Sequence, residues 1–574
     1  MLQATLRGRP HILHVVADDL GFHDLSDRRV RADHLRGLRR SGVTLSNFYT
    51  FKTCGPSRAS MLTGRYPFHF GIYSNADIDS YGVPTNFTLL PALLKQAGNY
   101  ATFAVGKWHC GYRTESMSPT QRGFDSFLGY WKCCNDYWTH GLEHGIVDHV
   151  RATVDGGIHA DRAHVGEYST FVYAREAVRI LRNHTPSRPI YLYLSFQAVH
   201  GPYQAPEHYA GMYENVSHSY NDRYYLAMIT AMDDAVGQVV RAAKHSKMWE
   251  NTLLFFCSDN GARISDVGSN RPLRGGKFTL WEGGIRTVAF LSGPVLLRAT
   301  NAAQLEGGHW HGLAHESDLF PTLLEVAGIT GPVIPEANNV DLRGLDGMSL
   351  WQSIIRNVSS PRKEVVHNIL NRWNHRDCKG SDLDEENCGA AIRVGRFKLL
   401  AGYPGDSRWS RIDNKAVEPW NWTAHGKNVW RRTRSDGCNL ESGVGCPCWH
   451  GYCLFDLASD PAERFDISEQ LPAVVARLKM RLAAAAETAT QGAHLCWPAD
   501  ALDKKALAKR LEQSRAHLPY AQEESSPWQN DLTAYSCYNP CPFPAKNHTA
   551  PSARLPSNCR RAATLAPHSR LAIL

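Results

Sequence analysis

Cys54 lies in the run TCGPSRASMLTGR (53–65), with proline two residues after the thiol and arginine four residues after it. Pro56 and Ser57 are helix-starting residues. The spacing therefore predicts Cys54 close to a helix N-terminus, where free backbone N–H groups and the helix dipole favour an anion. Arg58 adds a permanently charged fork suited to oxyanions. A structural cysteine beside a turn would carry the same five residues, so this run alone leaves both readings open.

Other chemically capable residues stand just after apolar runs. HILHVVA (11–17) leads into Asp18 and Asp19, and YATFAVG (100–106) into Lys107, Trp108 and His109. PIYLYLSF (189–196) is soon followed by His200, and TLLFFCS (252–258) by Asp259 and Asn260. Asp18, Asp19, Asp259 and Asn260 offer three carboxylates and one amide oxygen, a hard-oxygen set suited to Ca²⁺ or Mg²⁺ and poor for zinc. Lys107 and His109, in GKWHCG, occupy alternate positions that share a side if the backbone stays extended. Lys277, in RPLRGGKFTLWEGG, follows two glycines that permit close backbone approach. Taken singly, an Asp-Asp pair also serves as a turn or helix cap, and each lysine or histidine also fits a solvated or hydrogen-bonded loop position.

The elements that must position these groups read as an α/β domain with a largely parallel sheet, because short β-rich runs alternate with helical periodicity over the first 300 or so residues. The strands are 11–17, 100–106, 189–196, 252–258 and 287–293; the helices are 88–98, 170–183, 223–245 and 317–328, the last closed by Gly328. In open α/β sheets ligands bind at the carboxyl ends of strands, which is where the acids, histidines and Lys107 fall. After about residue 365 the texture changes to a hairpin over 390–404, a strand and turn over 453–468, and an amphipathic helix over 471–489. The expected organisation is a catalytic domain (1–365), a smaller C-terminal α+β domain (366–500) and a Cys- and Pro-containing tail (501–574).

The chain has 574 residues and a formal charge of +8, but its Lys and Arg residues are scattered, without a basic run interleaved with aromatics. That distribution argues against nucleic acid and favours small acidic substrates or sulfated glycans. Ten of 15 cysteines follow residue 370 (Cys378, Cys388, Cys438, Cys446, Cys448, Cys453, Cys496, Cys537, Cys541 and Cys559). They read as disulfide staples rather than a zinc module. Sequons at Asn86, Asn183, Asn215, Asn357, Asn421 and Asn547 agree with a secretory route. The first apolar run, Ile12 to Ala17, is short and ends in aspartates, so it reads as a core strand rather than a signal peptide. No apolar stretch reaches the ~18 residues of a transmembrane helix.

In order along the chain, DDLG (18–21), CGPSRASMLTGR (54–65), GKWHCG (106–111), the strand ending in HGP (200–202), SDNG (258–261), PLRGGKFTLWEGGIR (272–286) and HESDLFPTLLEVAG (315–328) resemble the type I sulfatases, within them the arylsulfatase B-like group. The resemblance covers roughly 10–470 and implies an alkaline-phosphatase-like fold, a large mostly parallel sheet flanked by helices. It implies that Cys54 is oxidised by a formylglycine-generating enzyme to formylglycine, and that Asp18, Asp19, Asp259 and Asn260 hold one Ca²⁺ against residue 54. Arg58, Lys107 and Lys277 would then neutralise the sulfate. His200, with Lys277, would protonate the leaving group, and His109 would help expel sulfate after attack by the aldehyde hydrate. The implied substrate is a sulfated glycan of the N-acetylgalactosamine 4-sulfate type or an aryl sulfate, and the implied destination is the lysosome or the extracellular space. Lys52 departs from the family pattern just before the cysteine, and Cys110, next to His109, could shape the pocket as a free thiol or a disulfide. Two other readings are a phosphatase or phosphodiesterase of the same superfamily, disfavoured by Cys54 and the acid-amide set, and a catalytically silent binder of sulfated glycans.

Overall fold

The computed structural model describes residues 8–141, 148–263, 267–300, 308–337, 340–369, 389–405 and 451–490, with Ser407 and Cys448. The expected tail over 501–574 lies outside the described residues, as do Asn421, Asn547 and eight of the ten late cysteines. The remaining two, Cys448 and Cys453, form a disulfide.

Ten strands make one mixed sheet: β1 (His11–Ala17), β2 (Val43–Tyr49), β3 (Ala101–Lys107), β4 (Ser126–Tyr130), β5 (Val150–Thr153), β6 (Gly157–Ala160), β7 (Ile190–Ser195), β8 (Thr252–Ser258), β9 (Ala289–Ser292) and β10 (His309–His315). Their order is β10-β2-β9-β8-β1-β7-β3-β4-β5-β6. The four strands expected to carry the site are neighbours at the centre, β8-β1-β7-β3, and run parallel, so their carboxyl ends open on one edge. Parallelism is lost outward: β9 is antiparallel to both β8 and β2, and β5 and β6 form an antiparallel hairpin. The 287–293 strand is correspondingly shorter than expected.

Every residue of β1 is buried, as a strand covered on both faces must be. Ile12 and Val16 join one core with Leu90, Leu93, Leu94 and Leu323. Leu13, Val15 and Ala17 join the other, with Val172, Ile180, Leu226 and Val236 from the helices Ser169–Asn183 and Tyr220–His245. Each leucine, isoleucine or valine among them contributes roughly 1.5–3 kcal/mol by leaving water. The helix expected at 317–328 opens as a 3₁₀ turn, Glu316–Asp318, and continues over Leu319–Val326, with Gly328 left-handed just beyond.

A two-residue ladder, β11 (Val333–Ile334) with β12 (Val340–Asp341), precedes a smaller antiparallel sheet of β13 (Glu364–Asn368), β14 (Gly389–Val394), β15 (Phe397–Gly402) and β16 (Tyr452–Asp456). The expected hairpin is β14–β15. The expected amphipathic helix spans Pro472–Glu487 and lays Leu478 and Leu482 into a core shared with Ile392, Leu399 and Leu454. Tyr49, Tyr66 and Ile285 of the larger unit join that core. A buried cation ties the two sheets: Lys398 Nζ lies 3.0 Å from Glu282 Oε1 and 2.8 Å from Glu463 Oε1, all three side chains fully enclosed or nearly so. Glu282 also accepts from Tyr49 Oη at 2.6 Å, and its backbone N–H donates to Glu463 Oε2 at 2.6 Å.

Candidate active site

Cys54 is the first residue of the helix Cys54–Thr63, with Thr53 as its N-cap and Gly64, left-handed, closing the other end. The whole helix is buried. Its N-terminus is anchored by Gly55 N–H donating to Asn75 Oδ1 at 2.9 Å and by Phe51 N–H donating to Glu316 Oε1 at 3.1 Å. Burial pushes the Cys54 thiol up despite Lys107 and Lys277 nearby, so the unmodified side chain is a neutral thiol and a poor nucleophile.

Four strand ends converge on this helix. Asp18 and Asp19 leave β1, Lys107 closes β3, Asp259 and Asn260 leave β8, and Ser195 closes β7. One ligand atom each from Asp18, Asp19, Cys54 and His200 falls within a 4.8 Å cluster. Three cations pair with three carboxylates: Lys107 Nζ with Asp18 Oδ2 at 2.7 Å, Arg58 Nη2 with Asp259 Oδ2 at 2.7 Å, and Lys277 Nζ with Asp19 Oδ1 at 2.7 Å. With those carboxylates ionised, the six charges cancel. Burial raises the Asp19 carboxyl, but Lys277 and His200 outweigh it and hold the group below its usual range. Asp259 is pushed up by burial and by the Asp18 charge, which Arg58 opposes.

The backbone accepts unusual conformations to achieve this convergence. Asp19, His109 and Phe278, the residue after Lys277, are all left-handed, at φ 58°, 47° and 75°. Such positions cost on the order of 1–3 kcal/mol each and persist where the surroundings fix them. Gly106 is left-handed too, and a Cβ there would sit 1.9 Å from the Ser195 carbonyl oxygen, so only glycine lets β3 lie against β7 at this point. The extended backbone on which Lys107 and His109 were expected to share a side does not continue that far: β3 ends at Lys107 and His109 is left-handed.

His109 Nε2 lies 3.6 Å from Asp79 Oδ1, and burial followed by the charges of Lys107, Arg58 and Lys277 drives its imidazole well down. Burial pushes the Asp79 carboxyl up to about 7. His200 Nε2 lies 3.7 Å from Asp19 Oδ2, and burial and then Lys277 push its imidazole down to about 3. Both rings are therefore neutral at rest. Cys110 is a buried free thiol rather than a disulfide.

The donor chemistry fits a hard divalent cation. Asp18 Oδ1 and Asn260 Oδ1 are buried oxygens without a hydrogen-bond partner among the described residues. A buried orphan acceptor costs about 1–3 kcal/mol, which an ion between them would recover. Asn260 Nδ2 donates to Asp19 Oδ1 at 2.7 Å, which leaves its carbonyl oxygen available. Every sequence-derived site residue except His109 is tied directly to this ion-pair cluster or faces it; His109 reaches it through the fields of its cations. Asp79, Asn75, Ser195 and Glu316 escaped the sequence reading. Only Ser195, at the end of β7 and hydrogen-bonded by Arg58 Nη1, carried a positional signal there.

A parallel sheet centre whose strand ends gather paired acids and cations around a helix N-terminus defines an alkaline-phosphatase-like α/β hydrolase of anionic esters. Residues 10–329 match the sulfatase family. Arylsulfatase J of Mus musculus is 34% identical over 498 residues, 84% of this chain and 76% of the relative. N-acetylgalactosamine-6-sulfatase of Homo sapiens is 31% identical over 503 residues, 80% of this chain and 81% of the relative. The crystal structure of Ps i-CgsB in complex with k-i-k-neocarrahexaose shares the fold, with TM-score 0.64 at 24% identity over 88% of this chain and 98% of that one. The chain belongs to the sulfatase family of sulfuric ester hydrolases, type I.

Proposed function

We propose that this chain removes sulfate from glycosaminoglycan sugars, N-acetylgalactosamine 4-sulfate first among them, with residue 54 converted to formylglycine and one Ca²⁺ held by Asp18, Asp19, Asp259 and Asn260. The observation that carries the reading is the buried Cys54 at a helix N-terminus, grouped with Asp18, Asp19 and His200 and flanked by three lysine or arginine cations. When bound, Ca²⁺ supplies two positive charges to an otherwise neutral site, and formylglycine supplies an aldehyde whose hydrate offers two hydroxyls.

The chain's own residues do the rest. Arg58, Lys107 and Lys277 are fixed in place by Asp259, Asp18 and Asp19 and present their charge to the non-bridging oxygens of sulfate. The leaving sugar oxygen needs a proton as the S–O bond breaks. His200 and Lys277, both within 4 Å of Asp19, are the donors; the anionic substrate raises the otherwise depressed basicity of His200. His109, neutral and beside Asp79, accepts the proton from the second hydroxyl of residue 54 as sulfate departs.

Export through the secretory route, to lysosome or extracellular space, is part of the proposal. The Cys448–Cys453 disulfide and the exposure of Asn86, Asn183, Asn215 and Asn357 support it. Among the described residues no helix is long and apolar enough to cross a membrane.

The test is hydrolysis of an activated aryl sulfate by chain secreted from cells that contain the formylglycine-generating enzyme, beside Cys54→Ala. Turnover confined to the wild type supports the proposal. An aldehyde at residue 54, read by peptide mass, with no turnover would overturn it in favour of a silent binder of sulfated glycan. The 31% identity to N-acetylgalactosamine-6-sulfatase favours a second substrate, the 6-sulfate, and competition between the two monosulfated sugars separates them.

A further inference from the structure

A second cluster of metal-competent side chains lies at the far edge of the main sheet. In the β5–β6 hairpin Val150 faces Ala160, so the next pair outward is His149 opposite Asp161, and Asp161 N–H donates to the His149 carbonyl at 2.8 Å. Three residues on, the chain turns back and brings His164 Nδ1 to 3.0 Å from Asp161 Oδ2. One nitrogen from His149, one from His164 and one carboxylate oxygen of Asp161 lie within 4.8 Å of one another.

The unusual member is His149. It is completely buried, and neither ring nitrogen has a hydrogen-bond partner among the described residues. An imidazole with two orphaned nitrogens is costly to bury, and nothing in the sulfate site uses it. Next to it, ring centroids 4.5 Å away, His140 donates from Nε2 to the Glu167 carbonyl, 2.9 Å away. Against a carbonyl oxygen that nitrogen must carry the proton, which leaves Nδ1 a lone pair; Nδ1 too is buried and unpartnered. A backbone carbonyl that fixes the tautomer in this way is the usual support of a metal-binding histidine. Arg151 stands 3.9 Å from Asp161 but only 3.0 Å from Glu176, which takes the closer share of its charge.

We propose that His149, Asp161 and His164 form a structural site for a zinc-type divalent cation, with His140 beside it, separate from the sulfate-ester site. Two imidazoles and one carboxylate are an N/O set of the borderline-soft kind that zinc prefers over calcium. Ligand atoms around tetrahedral zinc stand about 3.3 Å apart, so side-chain shifts of up to about 1.5 Å would close the present arrangement. The ion would pin both ends of the β5–β6 hairpin, at the edge of the sheet, to the segment that leads into the helix Ser169–Asn183.

The experiment uses the full-length secreted chain, stripped with chelator and resupplied with saturating Ca²⁺, then titrated with Zn²⁺ by calorimetry and with Co²⁺ by visible absorption. One Zn²⁺ per chain, an intense low-coordinate Co²⁺ spectrum and a melting midpoint raised by ~2 °C or more are expected. His164→Ala, at a side chain one quarter exposed, should fold, keep its aryl sulfatase rate and bind Zn²⁺ at least ~10-fold more weakly. His149→Asn should abolish binding. Absence of Zn²⁺ uptake by the wild type, or uptake unchanged in both variants, would overturn the assignment.

Discussion

Replacing Lys277 by methionine removes the cation 2.7 Å from Asp19 while keeping most of the side-chain volume. Asp19 then keeps the Asn260 amide at 2.7 Å and a neutral His200 at 3.7 Å, neither of which cancels its charge. Breaking a buried pair from one side costs about 3–5 kcal/mol. A divalent ion changes the balance. At an effective dielectric near 20 a single pair of unit charges about 4 Å apart is worth ~4 kcal/mol, so a doubly charged ion repays the loss in full. Urea unfolding of wild type and Lys277→Met, each in chelator and in saturating Ca²⁺, reads both quantities. The variant should be about 3–5 kcal/mol less stable in chelator, close to wild type in Ca²⁺, and so show the larger Ca²⁺-dependent shift. Its turnover of an activated aryl sulfate in Ca²⁺ should still fall ~10²–10³-fold, because the cation proposed to meet the sulfate is gone. Equal stability in chelator, or an equal Ca²⁺ shift in both proteins, would refute the reasoning that Lys277 and the ion share the task of compensating Asp19.

Cys54→Ser keeps one hydroxyl but cannot form a hydrate, so it should release alcohol at most once per chain; a burst assay that shows sustained wild-type turnover contradicts the mechanism. Burial pushes the Asp24 carboxyl up to about 7 from 3.8, so between those values the folded chain holds a proton that the unfolded chain has released. Stability from this group is complete below about pH 4 and is lost as pH rises through 7, a fall of about 2–3 kcal/mol between pH 5 and 7. Asp24→Asn should flatten that part of the urea-midpoint profile. Lys398→Met leaves Glu282 and Glu463 buried without their shared cation and should cost about 3–5 kcal/mol by denaturation, partly restored when both glutamates become glutamine.

The strands that carry the site were legible because they are apolar runs that end abruptly in charge: His11–Ala17 and Thr252–Ser258 match the sequence expectation residue for residue. Strands with polar or glycine-rich sequences gave no such contrast: Val43–Tyr49 emerges only from pairing with β9 and β10 far along the chain, and Gly157–Ala160 only from its hairpin with Val150–Thr153. The ion-pairing of Lys107 with Asp18, 89 residues apart, follows from β1 and β3 both flanking β7, a topological fact that spacing does not encode. His109 shows a different limit. The residue was identified, but its placement depends on a left-handed backbone that strand periodicity argues against. Asp79 and Asn75 come from a short helix with no apolar pattern to mark it, and their roles exist only through contacts with His109 and Gly55.

The Lys398 triad also bears on inheritance. Lys398 sits in the small sheet, Glu463 follows that sheet's last strand, and Glu282 belongs to the WEGG segment five residues beyond Lys277. A chimera that takes residues 1–365 from this chain and the remainder from a relative lacking the lysine would leave Glu282 without that cation, beside the turn that carries Lys277. Such a chimera is expected to be more stable when the loop and the small sheet come from the same parent. The small sheet thus constrains how the loop that carries Lys277 can evolve.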